Sequence, residues 1–189
     1  MTERAESEPL VVADVTAWRA WLDQHEASSD GLWVLLAKKG TVDPTSLTYQ
    51  DALEEALCGG WIDGQRKSVD AHTFKQRYTP RRQKSLWSLR NIEIVTRLTA
   101  EGRMRERGFA EIERAQADGR WDRAYAGPAT AEVPDELARA LKAHPAANAA
   151  FEKLNRTERY SALHPILTAT TAATLERRIE RLIASLLQR

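Results

Sequence analysis

Eight lysines and arginines lie between Trp61 and Arg90, and only two aspartates accompany them. This segment therefore carries a net charge of +6, whereas the whole chain carries +1. Trp61, Tyr78 and Trp87 are interleaved with the cations. A local positive field beside aromatic rings predicts a binding site for a small anionic or aromatic molecule.

We expect the cations to project from a strand and from the loop after it. Lys75 and Arg77 alternate with Phe74, Gln76 and Tyr78, so they share one strand face. Guanidinium groups suit phosphate or carboxylate, and a helix capped by Ser85 or Ser88 would add N–H donors. The candidate ligand-binding residues are Trp61, Asp63, His72, Lys75, Arg77, Tyr78, Arg81, Arg82, Lys84, Ser85, Trp87, Ser88 and Asn91. The alternative is a solvated basic surface in which Trp87 is a core anchor.

Signals for catalysis are weaker in this region. Cys58 should end a helix, where the dipole disfavours a thiolate, so a buried structural cysteine is expected. For Asp63 we expect a salt bridge with Arg66 or with the other cations. Glu54 and Glu55 are adjacent, so they point in different directions from a helix, and we place at least one at the surface.

The single cysteine and four histidines show no metal-ligand spacing, and no cofactor is predicted. No nucleophile–base pair or phosphate loop is visible, so the catalytic residues are left unassigned. The alternative is an enzyme of unknown reaction, such as one of a specialised biosynthetic pathway, that uses the same pocket. Its polar groups would be Asp63, His72, Arg77 and Tyr78.

The composition is ordinary for a globular protein, with 42% apolar and 29% charged residues in 189 positions. The acidic N-terminus lacks the features of a secretory signal, and no apolar run has the length of a membrane span. One cysteine permits no internal disulfide. Together these observations predict a cytoplasmic protein without a membrane partner, and they leave the oligomeric state open.

Nucleic acid is a second kind of anionic partner, since cations interleaved with aromatic rings bind single strands. The whole-chain charge of +1 and the absence of a recognisable binding motif argue against it. Besides ligand binding and catalysis, a third hypothesis is that the chain is a protein-interaction module that acts through its C-terminal helices.

Three segments alternate or run apolar as strands do: 32–37, 61–67 and 73–79. Helices are predicted from Asp14, Thr48 and Asn155 as caps, and an apolar stripe marks a last helix over 172–187. Phe109 is expected on the buried face of its helix, and Pro165 is expected to kink or end another. The fold class is α+β, with a small, mostly antiparallel sheet in residues 11–126 after a tail of residues 1–10. A helical module follows over residues 127–189.

Long motifs of the chain resemble the YdeI/OmpD-associated family, whose members are labelled bacteriocin-protection proteins. The resemblance is carried by residues 52–64 (Ala-Leu-Glu-Glu-Ala-Leu-Cys-Gly-Gly-Trp-Ile-Asp-Gly), by 77–88 with Asn91, and by Glu101-Gly-Arg-Met104 with 117–121. It extends from about residue 10 to the C-terminus. It implies a cytosolic bacterial protein with a stress or toxin-protection role, and it carries over no catalytic residue.

One segment departs from the family pattern. The family's penultimate C-terminal helix usually ends in an aromatic-rich segment and a Ser-Ala-Lys-Arg-Pro-like turn, whereas here residues 163–171 read Leu-His-Pro-Ile-Leu-Thr-Ala-Thr-Thr. The usual Lys/Arg pair and nearby Trp are absent. A function that depends on that surface in relatives is therefore not implied for this chain.

Overall fold

A computed structural model describes residues 8–188 of the chain, which form two compact units. Of the described residues, the first unit contains 8–85 and 91–122, and the second contains 86–90 and 123–188. Residues 1–7 of the predicted tail lie outside the described part. Leu10 forms a parallel bridge with Val34. That residues 11–126 and 127–189 form separate modules stays a prediction.

Three antiparallel strands form the sheet of the first unit, which confirms the predicted α+β class. The strands are β1 (Leu32–Ala37), β2 (Trp61–Ser68) and β3 (Thr73–Pro80), in the order β1-β3-β2. The helices are α1 (Val15–His25), α2 (Tyr49–Cys58), α3 (Leu89–Ala100) and α4 (Glu106–Ala117). The first two residues of α3 fall in the second unit.

The alternation of β3 decides which face of the sheet joins the core. Phe74, Gln76 and Tyr78 are buried, whereas Lys75 and Arg77 are half-buried on the opposite face. The core contains Trp18 and Leu22 of α1, Val34 and Leu36 of β1, Ala52 and Ala56 of α2, and Trp61, Phe74 and Tyr78 of the hairpin. Burial of this apolar surface is the main stabilising contribution to the unit.

Helix starts follow the predicted caps. The side chain of Asp14 accepts a hydrogen bond from the Ala17 N–H at 2.9 Å, and Thr48 accepts one from Asp51 at 3.3 Å. Asn155 and Glu158 form a complete capping box. Such side chains supply partners for N–H groups that the first helical turn leaves unpaired.

The second unit contains four further helices around its own core. They are α5 (Asp135–Ala143), α6 (Pro145–Glu152), α7 (Arg156–Leu167) and α8 (Ala172–Leu187). Ile179, Ile183 and Leu186 of the predicted stripe are buried. None of the helices in residues 8–188 combines the length and the apolar content needed to cross a membrane.

One prediction about helices is wrong, and another holds only in part, since Pro165 was expected to kink or end its helix and does not end it. Phe109 is 40% exposed, because α4 packs through Gly108, Glu111 and Ala115, one residue position away from the predicted face. Helix α7 does not end at Pro165 but continues to Leu167. The Thr168 N–H donates to the His164 carbonyl at 3.1 Å, so the last turn closes although proline removes one donor.

Candidate anion-binding site

The face of the sheet opposite the core concentrates positive charge above an indole. Lys67 of β2 lies directly opposite Lys75 of β3 in the strand register. Their Nζ atoms lie 5.5 and 5.2 Å from the centre of the Trp33 ring. Like charges in directly opposed positions destabilise a sheet, and contact with an indole offsets part of that cost. Trp33 therefore fixes two cations side by side.

Arg77 adds a guanidinium to this face. It is opposite Trp33 in the register of β1 and β3, and it lies two residues from Lys75. Residues on the same strand face at that spacing are about 7 Å apart. The pairing of β2 with β3 shifts between Asp63 and Arg66, so two residues of β2 oppose Arg77 alone. We call Lys67, Lys75 and Arg77 the basic sheet face.

The loop after β3 continues the run of cations. Arg82 and Lys84 are exposed, and neither they nor Arg77 form an ion pair with any residue in the range 8–188. The Arg82 N–H donates to Ser85 Oγ at 2.9 Å, which holds the turn. Arg81 differs from its neighbours, since it is only 5% exposed and its N–H donates to the Gly60 carbonyl.

The predicted aromatic walls are buried. Trp61 is completely buried, with its Nε1 donating to the Glu26 carbonyl at 3.3 Å, and Trp87 is 2% exposed. Neither indole presents an open face on which a ligand ring could stack. Asn91 is also buried, and Trp87 and Ser88 belong to the second unit while the other candidates belong to the first.

Asp63 takes part in a polar contact rather than the predicted salt bridge. The Tyr49 hydroxyl donates to Asp63 Oδ2 at 2.8 Å, and Arg66 instead lies 3.8 Å from the centre of the Phe74 ring. Tyr78 is buried beside this pair. Burial, followed by the negative charge of Asp63, raises the pKa of Tyr78 well above its usual range, so the phenol stays protonated.

His72 is exposed in the turn between β2 and β3, and its backbone makes the contacts. Its N–H donates to Asp70 Oδ1 at 2.7 Å, and its carbonyl accepts from the Lys38 N–H at 2.8 Å. The Asp70 carboxylate also accepts from the N–H and the hydroxyl of Thr73. The turn is therefore fixed by Asp70, which the residue pattern alone did not single out.

A second charged cluster lies around α2, and it corrects the prediction for Glu54 and Glu55. Both glutamates are buried, at 9% and 2% exposure. Arg103 bridges them, with Nη1 at 2.9 Å from Glu54 and Nη2 at 2.8 Å from Glu55. Adjacent residues of a helix do point apart, but a planar guanidinium has two donor edges and reaches both carboxylates.

Three further arginines complete what we call the arginine–glutamate network. Arg19 makes two hydrogen bonds to Glu55, Arg97 contacts Glu54, and Arg105 contacts both Glu55 and Glu26. Burial raises the pKa of Glu54 and of Glu55, but hydrogen bonds to the carboxylates, mostly from arginine, outweigh it and leave both pKa values below the usual range. Both glutamates are therefore held as carboxylates.

Cys58 ends α2 beside this network and is buried, as predicted. Burial, with a smaller contribution from the charge of Glu55, raises the pKa of its thiol to about 11. Helix α4 approaches closely here, since a Cβ at Gly108 would lie 2.3 Å from the Cys58 carbonyl oxygen. The thiol is accordingly protonated and inaccessible at neutral pH, which is unfavourable for a nucleophile.

Comparison with known families divides the chain into two matched segments. Residues 10–111 match the family model described as domain of unknown function (DUF8412), which is more than half of the chain. The chain belongs to this family. Residues 130–189 match the model described as bacteriocin-protection, YdeI or OmpD-associated, which confirms the resemblance over that segment. Comparisons with the curated proteins and with the solved structures give no match.

The two matches separate the candidate site from the family description. Every candidate ligand-binding residue, as well as the basic sheet face, lies within the DUF8412 segment. Helices α5 to α8 lie within the segment that matches the bacteriocin-protection model. The bacteriocin-protection description therefore applies to the helical segment and not to the candidate site on the sheet.

Proposed function

We propose that the DUF8412 segment binds a small anion, carrying a phosphate or carboxylate group, on the basic sheet face. The observation that carries this proposal is the pair of ammonium groups held 5.2 and 5.5 Å from the centre of one indole, with Arg77 next to them on β3. An anion that binds beside these three cations gains charge-assisted hydrogen bonds from them.

The geometry narrows the binding mode. The candidate indoles Trp61 and Trp87 are buried, so recognition rests on charge and hydrogen bonds rather than on stacking of a ring. Arg77 supplies a fork for two oxygens of one group, and the lysines supply point charges. Arg82 and Lys84, which are exposed, raise the positive potential that attracts the anion from solution.

Isothermal titration with inorganic phosphate and with citrate at low salt tests the proposal. We expect Lys75→Ala and Arg77→Ala each to weaken binding about ten-fold or more, because each removes a charge-assisted contact. Arg77→Lys should retain part of the affinity. Lys142→Ala, which removes an exposed cation from α5, is the matched control and should bind as the wild type does. Absent heat with both anions, or equal affinities in every variant, would contradict anion binding.

We further propose a protective role against a toxin such as a bacteriocin. The support is the description of the family that α5 to α8 match. Survival of a sensitive bacterium that produces the chain, after challenge with a purified bacteriocin, tests this role. Protection by the wild-type chain is expected, with loss of protection in Arg77→Ala if the anion is involved. Equal killing with and without the wild-type chain would contradict the role while leaving anion binding intact.

A further inference from the structure

A solvent-open groove follows the seam between α7 and α8 in the second unit, and at one end it is bounded by α6. Three adjoining cavities of about 420, 320 and 440 Å³ form it. The first two share Leu154, Glu158 and Leu186. The second and third share Ser161, Ala162, Leu182 and Ser185. Shared lining residues make these cavities one continuous feature, which we call the α7–α8 groove.

The groove has an apolar floor and low walls. Leu182 is half-buried and Leu186 is buried, so the apolar stripe of α8 is wider than the core of this unit requires. Ser161, Ala162 and Ser185 have small side chains that leave the floor accessible. From Arg178 to Leu187 the lining of α8 extends about 14 Å, which is the length of two to three helical turns.

The rim of the groove is positive. Arg178 and Arg181 lie at one end and Lys153 at the other, against the single carboxylate of Glu158. That carboxylate already accepts the Asn155 N–H at 3.1 Å in the capping box. Arg181 is exposed and has no ion-pair partner among residues 8–188. Arg178 donates to the Pro165 carbonyl and to Thr168 Oγ1, but it pairs with no carboxylate among residues 8–188. An occupant with acidic groups would therefore meet cations that have no carboxylate partner in the described part of the chain.

The other flank of α8 has the opposite charge. A cavity of about 500 Å³ there is lined by Glu136, Glu176 and Glu180, with Arg139 as the cation. One helix thus separates an acidic flank from a basic one. A charged partner is attracted by one flank and repelled by the other, so the sign of the rim selects the occupant.

We propose that the α7–α8 groove binds an amphipathic helix of a partner protein, with acidic residues beside its apolar face. The apolar residues of that helix, at spacings of three and four, contact Leu182 and Leu186. Its acidic residues lie against Arg178 and Arg181. A basic amphipathic helix of the same apolar face is rejected by the rim.

Two synthetic helices test this proposal with the full chain. Both peptides are about 14 residues long, to match the groove, and they share one Leu/Ala face, flanked by Glu in one and by Lys in the other. By fluorescence anisotropy we expect the Glu peptide to bind about ten-fold more tightly or better. Arg181→Glu should remove that preference. Arg177→Glu is the matched control. It makes the same charge change at an exposed arginine one helical turn before Arg181, and Arg177 lines none of the three cavities.

A third variant separates binding in the groove from general attraction to positive charge. Ser185→Arg fills the groove yet adds a cation, so it should abolish binding of the Glu peptide, with an unchanged melting temperature showing that the fold is intact. Tighter binding to Ser185→Arg would overturn the proposal, as would equal affinities for the two peptides. Sedimentation showing that the chain alone self-associates, and dissociates on Arg181→Glu, would assign the groove to a second copy and also overturn it.

Discussion

Two clusters of cations in the first unit differ in what surrounds their charged groups. In the arginine–glutamate network, Arg19, Arg97, Arg103 and Arg105 all contact carboxylates. On the basic sheet face, the cations are held beside one another, and Arg77 has no ion pair in the described part of the chain. The first cluster is suited to holding helices together, whereas Arg77 of the second cluster has no carboxylate partner among residues 8–188.

The difference shows why a local charge count is a poor guide to function. Residues 61–90 attract attention because their cations outnumber their acids, yet Arg81 of that segment is buried. A count of charges along the sequence does not reveal the network around α2, because the network contains glutamates as well as arginines. The burial of Glu54 and Glu55, and not the composition, distinguishes a structural cluster from a binding surface.

Removing Arg103 should have the largest effect on stability. Arg103→Met takes a partner from both buried glutamates, and we expect the free energy of unfolding to fall by about 2 to 3 kcal/mol. Urea denaturation measures it. Arg139→Met is the control, since Arg139 is 75% exposed and pairs with the half-exposed Glu136 within one helix, and it should cost less than about 0.5 kcal/mol. Equal costs would show that the network is not a special stabilising feature.

Acid should weaken the same cluster. The pKa values of Glu54 and Glu55 are lowered in the folded chain, so their contribution is complete above the unfolded-state value of about 4.3. It is lost as the pH falls from there through the folded-state values. We therefore expect the urea midpoint to fall between about pH 5 and pH 3, and to fall less steeply in Glu55→Gln. Identical slopes in both proteins would contradict this assignment.

Charge reversal on the basic sheet face should raise the free energy of unfolding slightly, whereas the loss of Arg103 should lower it. Lys67→Glu places a carboxylate opposite Lys75 and removes the like-charge pair, so the free energy of unfolding should rise by about 0.3 kcal/mol. Thermal unfolding measures the change. Lys39→Glu, at an exposed lysine outside the sheet, is the control and should not stabilise. A fall in stability would mean that the two ammonium groups do not repel each other across β2 and β3.

Arg77→Ala should leave the stability of the ligand-free chain unchanged within about 0.5 kcal/mol. Added phosphate should raise the melting temperature of the wild type and not that of Arg77→Ala, because a ligand stabilises only the state that binds it. Arg103→Met should still show the phosphate-dependent rise. A rise of the same size in Arg77→Ala would place the anion elsewhere.

The sequence alone predicted much of the local structure. The alternation of Phe74, Gln76 and Tyr78 identified the core face of β3, and Asp14, Thr48 and Asn155 marked helix starts. These features depend on residues within one turn or one strand, where sequence spacing and spatial spacing coincide. The candidate site is less predictable: Lys75 and Arg77 were predicted to share a strand face, but their closeness to Trp33 and Lys67 requires the register of three strands.

Long-range partners could not be predicted. Glu55 and Arg103 are separated by 48 positions, and no periodicity connects them. The face of α4 was misplaced by one position because the approach of Gly108 to Cys58 sets its rotation. Asp63 had several cations nearby in sequence, yet a tyrosine from α2 is its partner.

The order of residues determined which segments are helices and strands, because backbone hydrogen bonding and side-chain alternation act over a few positions. Only the tertiary structure decided which charges are neutralised. The energy of an ionised group depends on its burial and on atoms within a few ångströms, which distant parts of the chain supply. That is why Arg103 and Arg77, of one residue type, differ: Arg103 contacts two buried glutamates, whereas Arg77 has no ion pair among residues 8–188.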